Sequence, residues 1–350
     1  MRLITTILGL TLLATSGFAQ DEAKVEIKQQ PKSAAKKKEK KPVPKNKQAF
    51  LTPKEAGPDF AIQGEYEGKI HDGALKLGLQ VIARGDGRFE AVAYPGGLPG
   101  AGWTGDQKLK MKGETDGKVT TLTSDRGKAV ITEGMAIGYN AEGDKIGELK
   151  KVVRKSPTLG MKPPKDAIVL FDGKSADAFK NGKLINGMLQ QGMTSKAKFD
   201  SFKLHMEFML SFMPYASGQG RSNSGVYMQG RYECQILDSF GLNGEHNECG
   251  GIYELAKPKV NMCLPPLSWQ TYDAEFIAAK FDEGKKTANA RLTVKHNGVL
   301  IHDKFEVKRT TRASPLRKEG VESGPLYIQN HGNPLRFRNI WIEAIKPASN

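Results

Sequence analysis

Cysteine is scarce in this chain. Cys234, Cys249 and Cys263 are the only three among 350 residues, too few for the multi-bridge framework of a small secreted scaffold. Cys249 and Cys263 are close enough in sequence to pair across a loop, and neither a paired nor a free state follows from the sequence. Cys234 falls on the apolar side of a strand, as a buried thiol does. Past the first twenty residues there is no apolar run long enough to cross a bilayer as a helix. Apolar residues never keep helical spacing for long, which excludes a helix bundle. No Gly-x-Gly-x-x-Gly turn joins a strand to a helix, and there is no Walker loop, so a nucleotide cofactor is not indicated. The nucleophile elbow Gly-x-Ser-x-Gly and the zinc motif His-Glu-x-x-His are missing too. Zinc-finger spacing, aromatic RNA-binding strands and helix-turn-helix patterns are absent, so nucleic acid is not an expected partner.

What is present begins with "MRLITTILGLTLLATSGFAQ". One Arg, a short apolar stretch and small residues before Ala19 form the pattern of a signal peptide over residues 1–19. Residues 20–56 follow as an expected Lys-rich disordered linker. From Asp21 to Phe50 there are ten Lys against four acidic residues, which is six of the chain's fifteen net positive charges. The basic balance therefore belongs largely to a tether. Export to the periplasm or cell surface is expected, with no transmembrane segment in the mature chain.

Thirty-nine Gly and 18 Pro call for many turns and short strands. Residues 57–155 contain strand-like runs such as "ALKLGLQVIA" and "RFEAVAYP" around an "RGDG" turn, and are expected to form a small all-β domain. Tyr94 and Trp103 flank a Gly-rich loop, where they suit either sugar stacking or capping of a core. Residues 156–167, rich in Pro, are expected to be a linker. Residues 168–346 carry ten candidate strands, at 168–171, 184–190, 202–212, 224–229, 231–237, 270–278, 288–295, 299–301, 325–329 and 335–342. So many strands without helices predict a two-sheet sandwich or jelly roll.

Several of these strands alternate apolar residues with groups suited to chemistry. His205 and Glu207 share a face of "FKLHMEF". Asn223, Tyr227 and Gln229 share a face of "NSGVYMQ", and Arg231, Glu233 and Gln235 a face of "RYECQIL", with Asp238 closing the run. Tyr327 and Gln329 share another face, with His331 and Asn333 in the turn beyond. Arg336 and Arg338 oppose Phe337, Asn339 and Trp341. Either this is an ordinary solvated sheet face or it lines a groove. Amides, aromatics and acids suit a ring of hydroxyls, because each hydroxyl both donates and accepts. Carboxylates and imidazoles can also move protons near neutral pH, and His246 lies in a loop where it could help close a site.

Six separated motifs carry a specific resemblance: "LFDGKS" (170–175), "FKLHMEF" (202–208), "NSGVYMQGRYECQILDSFG" (223–241), "CGGIYELAKPKVNMCLPPLSWQTYD" (249–273), "ANARLTVKHNGVLIHD" (288–303) and "GPLYIQNHGNPLRFRNIWI" (324–342). Together they resemble the 3-keto-disaccharide hydrolase domain family, also called domain of unknown function 1080, over residues 165–346. Cys234 and Met262-Cys263 depart from its usual pattern in ways that alter packing. The resemblance implies a concanavalin-like jelly roll that cleaves the glycosidic bond of 3-keto-glycosides, by hydrolysis or by elimination and hydration. It implies an oligosaccharide or glycoside substrate, coupling to a sugar 3-dehydrogenase, and in some members a divalent metal ion. On this chain the implied catalytic residues are Glu233, His331 and Glu207. Asn223, Tyr227, Arg231, Gln235, Asp238, Trp269, Gln329 and Asn333 are implied substrate contacts, and His205, Glu207, Glu233 and His331 the metal ligands. A lectin-like protein that binds sugar without cleaving it is the alternative.

Overall fold

The computed structural model describes residues 42–105 and 107–346; the expected signal peptide and most of the Lys-rich segment lie outside them. After a short helix α1 (Pro58–Ile62), eight strands form a closed antiparallel barrel in simple meander order: β1 (Gly64–Ile70), β2 (Leu75–Gly85), β3 (Arg88–Pro95), β4 (Leu109–Asp116), β5 (Val119–Ser124), β6 (Gly127–Thr132), β7 (Met135–Tyr139) and β8 (Lys145–Val152). Pairing of β1 with β8 closes the ring and leaves no free edge. Alternation fills its interior with Tyr66, Leu79, Val81, Phe89, Leu122, Ile131 and Leu149.

Residues 43–56 correct the expectation of a disordered linker reaching residue 56. Phe50 exchanges backbone hydrogen bonds of 2.9 Å in both directions with Phe212, and Ala56 is buried in the barrel cluster. The Lys-rich composition hid one anchor, Phe50, whose ring contacts Phe212 as does that of Phe60 in α1. Phe212 is itself fully buried among the barrel residues, although it follows a strand of the next region.

That region is a two-sheet sandwich. Its strands are β9 (Ile168–Phe171), β10 (Phe179–Lys180), β11 (Leu184–Ile185), β12 (Met188–Leu189), β13 (Met193–Phe199), β14 (Phe202–Met209), β15 (Ser224–Met228), β16 (Tyr232–Ile236), β17 (Trp269–Ile277), β18 (Lys280–Asp282), β19 (Lys285–Ala288), β20 (Ala290–His296), β21 (Val299–Val307), β22 (Gly324–Ile328) and β23 (Arg336–Ala344). One sheet has five strands in the order β10-β13-β22-β15-β16. The other has eight strands by path or pairing, β11-β12-β23-β14-β17-β20-β21 with β9 also against β23. β18 and β19 form a separate hairpin.

The core lies between the two sheets. Val226, Met228, Tyr232, Cys234, Ile236, Leu326 and Ile328 come from the smaller sheet, and Phe202, Leu204, Met206, Phe208, Tyr272, Phe276 and Phe337 from the larger. Tyr232 and Phe276 meet across the layers with ring centroids 5.5 Å apart. All three cysteines are free and buried. The barrel docks on the sandwich through outward-facing Ile82, Val92 and Tyr94, which join the sandwich cluster. Tyr94 is therefore buried, and Trp103 packs edge-on against it at 5.1 Å. This removes Tyr94 as a sugar-stacking ring. The RGDG turn is likewise engaged, since Asp86 accepts from Tyr215 Oη at 2.9 Å and from Lys45 at 2.8 Å.

Candidate functional site

The polar faces noted in the sequence belong to two different sheets. Because Phe202, Leu204, Met206 and Phe208 point into the core, His205 and Glu207 point out of the larger sheet. By the same alternation Tyr232, Cys234 and Ile236 send Glu233 and Gln235 out of the smaller sheet, on the opposite side of the sandwich. The expected convergence of Glu207, Glu233 and His331 is thus absent.

On the larger sheet, β14, β17 and β23 build a closed ion-pair cluster. His205 Nδ1 lies 2.6 Å from Asp273 Oδ1, and Trp341 stacks on the imidazole with centroids 5.2 Å apart. Glu207 receives Arg338 Nε at 2.6 Å, Asn339 Nδ2 at 2.9 Å and the Gly160 amide at 2.6 Å. Burial would raise the Glu207 carboxyl, but hydrogen bonds from His205, Asn339, Arg338 and Gly160 outweigh it and hold the pKa at about 2. Burial would lower His205, and the carboxylates of Asp273 and Glu207 outweigh that and raise it. The cluster grips the expected linker: Thr158 Oγ1 donates to Asp273 at 2.6 Å, and Met161 O accepts from Asn339 at 3.0 Å. His205 and Glu207 therefore act here as a clamp on residues 156–161. Trp269 lies on the same face, covered by the Arg338 guanidinium 3.9 Å from its ring, so it does not share a surface with Glu233.

A register slip in β23 explains the arrangement. His205 pairs with Trp341 but Glu207 pairs with Arg338, leaving one extra residue on β23. Asn339 takes a φ of 45° there. This bulge turns Arg338 and Asn339 to the same side, where strict alternation had set them on opposite faces.

On the smaller sheet, β15 and β16 pair Gly225 with Gln235 and Tyr227 with Glu233. Their outward side chains, with Asn223 just before β15, form a buried polar floor: Asn223, Glu233 and Gln235 are each 1% exposed. Burial is the largest influence on Glu233, and repulsion from Glu254 adds to it; a hydrogen bond with Tyr227 opposes them, and the carboxyl ends at a pKa of about 8. Tyr227 Oη accepts from Gln329 Nε2 at 3.0 Å, and the Tyr327 ring packs on Tyr227 at 5.2 Å. Glu233 Oε2, Gln235 Oε1 and Asn223 Oδ1 are buried with no hydrogen-bond partner among the described residues. Gln219 donates to Asn247 O at 2.7 Å and binds both Asn223 and Gln235, and the segment around Tyr253 runs along the edge of β16, where Tyr253 N donates to Glu233 O at 3.2 Å.

Of the expected contacts, Asn223, Tyr227, Glu233, Gln235 and Gln329 assemble here, and Asn333 supports them by accepting from the Asn223 amide at 2.9 Å. Others do not. Arg231 spends its guanidinium on Lys318 O, Glu322 O and Gln229 Oε1, at 2.9–3.1 Å, and so pins the following loop. Asp238 is buried against Arg221 at 2.5 Å, a structural pair that needed Arg221 to be recognised. His331 and His246 are exposed. Gln219 and Asp273 were missed. Gln219, an amide between two glycines just ahead of the Asn223 strand, was the readable signal for the first. Asp273 left a fainter one, falling two residues from Thr271 on β17.

The set proposed for a divalent ion does not fit. His205 and Glu207 are saturated by neighbours, Glu233 lies across the sandwich and His331 stands in an exposed turn. Among the described residues no three His, Cys, Asp or Glu side chains are grouped to hold a metal ion.

The chain thus carries, on one face of a two-sheet β sandwich, a buried polar floor with a single carboxyl. Residues 166–343 match the 3-keto-alpha-glucoside-1,2-lyase-like domain, and the chain belongs to that family. Two solved structures from Parabacteroides distasonis, both described as candidate glycosyl hydrolases, are similar. One is 31% identical with a TM-score of 0.47, covering 52% of this chain and 85% of its own. The other is 17% identical with a TM-score of 0.39, covering 52% and 95%. No curated protein matches the chain.

Proposed function

We propose that the sandwich cleaves the glycosidic bond of 3-keto-glycosides, with Glu233 as the base. The observation that supports this most is the buried Glu233 carboxyl, with Oε2 unpartnered among the described residues and a pKa of about 8. A ketone at C3 acidifies the hydrogen on C2. Ionised Glu233 removes that proton, the C2–H electrons form the enolate, and the enolate expels the C1 oxygen, which leaves as an alcohol on taking the proton from Glu233, so that the carboxylate is regenerated. Water adding across the resulting double bond would complete hydrolysis. Tyr227, held by Gln329, orients the Glu233 carboxyl through its hydroxyl. A sugar 3-dehydrogenase would supply the ketone, and the leader-like N-terminus favours action outside the cytoplasm.

The experiment is incubation with 3-keto-trehalose or 3-keto-sucrose and mass analysis of the products. Release of free sugar is expected, falling at least about 100-fold in Glu233→Gln. Binding without release by the wild-type protein would instead make it a lectin.

A further inference from the structure

We propose that Gln219 is a positioning residue that makes the site specific for sugar hydroxyl groups. The inference rests on reading the outer face of the five-stranded sheet as a carbohydrate site. Asn223 Nδ2 donates to Gln219 O at 2.8 Å and to Gln219 Oε1 at 3.0 Å. Gln235 Nε2 donates to the same Oε1 at 3.0 Å and to Asn247 O at 3.4 Å. Gln219 is fixed in turn by its own donation to Asn247 O at 2.7 Å.

One side chain thus captures the amino ends of two amides. An amide has its oxygen at the other end, so both oxygens are turned away from Gln219. Asn223 Oδ1 and Gln235 Oε1 are left buried and unpartnered among the described residues, and Glu233 Oε2 joins them from two positions along β16. Buried polar atoms are nearly always paired, so three open oxygens, two of them amide acceptors, on β16 and just ahead of β15 mark a place completed by a ligand. Two of the three are neutral amide oxygens, and the set holds one carboxyl. A hard cation in a protein cage draws on more carboxylates and more oxygens than this. Adjacent hydroxyls of a pyranose supply several neutral donors within one ring.

The test uses unoxidised sugars, so turnover does not enter. The full chain is titrated calorimetrically with methyl α-D-glucopyranoside and with its 2-, 4- and 6-deoxy analogues. At least one deoxy analogue is expected to bind about tenfold more weakly or worse, because it leaves a buried acceptor unpaired. Gln219→Ala removes the shared Oε1 and frees the Gln235 amide to turn, while Asn223 keeps its bond to the carbonyl of residue 219, so the variant should weaken that discrimination several-fold with little change in melting temperature. Equal affinities for parent and analogues, unchanged discrimination in Gln219→Ala, no sugar binding at all, or saturable calcium or magnesium binding lost in Asn223→Ala would each overturn the proposal. Discrimination without cleavage of a 3-keto-glycoside would sink the lyase reading alone; cleavage without discrimination would sink this one alone.

Discussion

The Glu233 carboxyl fills the space above Gly225: a β-carbon at that glycine would stand 2.1 Å from Glu233 Oε1 and 2.9 Å from its Cδ. Gly225 lies in extended backbone within β15 and has no positive φ. Room, not conformation, calls for glycine here. Gly225→Ala should therefore push the carboxyl off its diagonal seat. Overpacking of this kind costs about 1–3 kcal/mol, which the sandwich core should absorb. Displacing a reacting group by an ångström costs about 100-fold in rate. The expected result is a folded protein with kcat reduced on that order, read by circular dichroism and a 3-keto-glycoside assay. Full activity in Gly225→Ala would show that the placement of Glu233 is immaterial.

Glu233 also sets a pH dependence. As a base it must be ionised, so kcat/KM should rise with pH through about 8. Its effect on stability runs the other way. Between the ordinary carboxyl value of 4.5 and about 8 the folded state keeps a proton that the unfolded chain has lost. Stability present below pH 4.5 is then lost as pH rises through 8. Glu233→Gln cannot ionise, so its melting temperature should exceed that of the wild-type protein by more at pH 9 than at pH 4. A variant less stable at pH 9 would contradict a desolvated carboxyl.

The sandwich was legible because its strands are bounded by Gly-rich turns and alternate cleanly: β14, β15, β16, β17 and β23 lie where periodicity placed them, within a few residues. β13 was missed. Its "MTSKAKF" has few apolar residues, and its pairing with β22 slips between Thr194 and Lys198. The site was half legible. Alternation says which side chains leave the core, and it correctly turned Glu207 and Glu233 outward. It does not say to which sheet a strand belongs, and that assignment separates them. The Asn339 bulge was hidden for a related reason, since one inserted residue reverses alternation without altering composition.

Phe212 offers a test of how the barrel and the sandwich depend on one another. It is fully buried within the barrel cluster, touches Phe50 and Phe60, and is supplied by the segment after β14. Phe212→Ala should cost about 3–5 kcal/mol, and most of that loss should fall on the barrel. Calorimetry should then resolve an early barrel transition ahead of the sandwich, while sugar binding at the smaller sheet persists. A single, uniformly lowered transition would mean the two parts unfold as one.

The cluster on the larger sheet should govern the linker and not the chemistry. Glu207 is held at about 2 against an ordinary 4.5, so its contribution is present above pH 4.5 and is lost as pH falls toward 2. Over that range it amounts to about 3 kcal/mol. His205 is raised above 6.5, so its contribution is present below pH 6.5 and is lost as pH climbs through the raised value. Both are complete only between about pH 4.5 and 6.5, where docking of residues 156–161 should be firmest. Glu207→Gln takes the carboxylate from partly exposed Arg338, while His205 keeps Asp273 at 2.6 Å, a loss of about 1–3 kcal/mol. The expected outcome is a lower melting temperature and faster proteolysis near Gly160, with Kd for the sugar unchanged. If Glu207→Gln instead kept its stability and lost cleavage, Glu207 would act on the substrate and the clamp reading would fall.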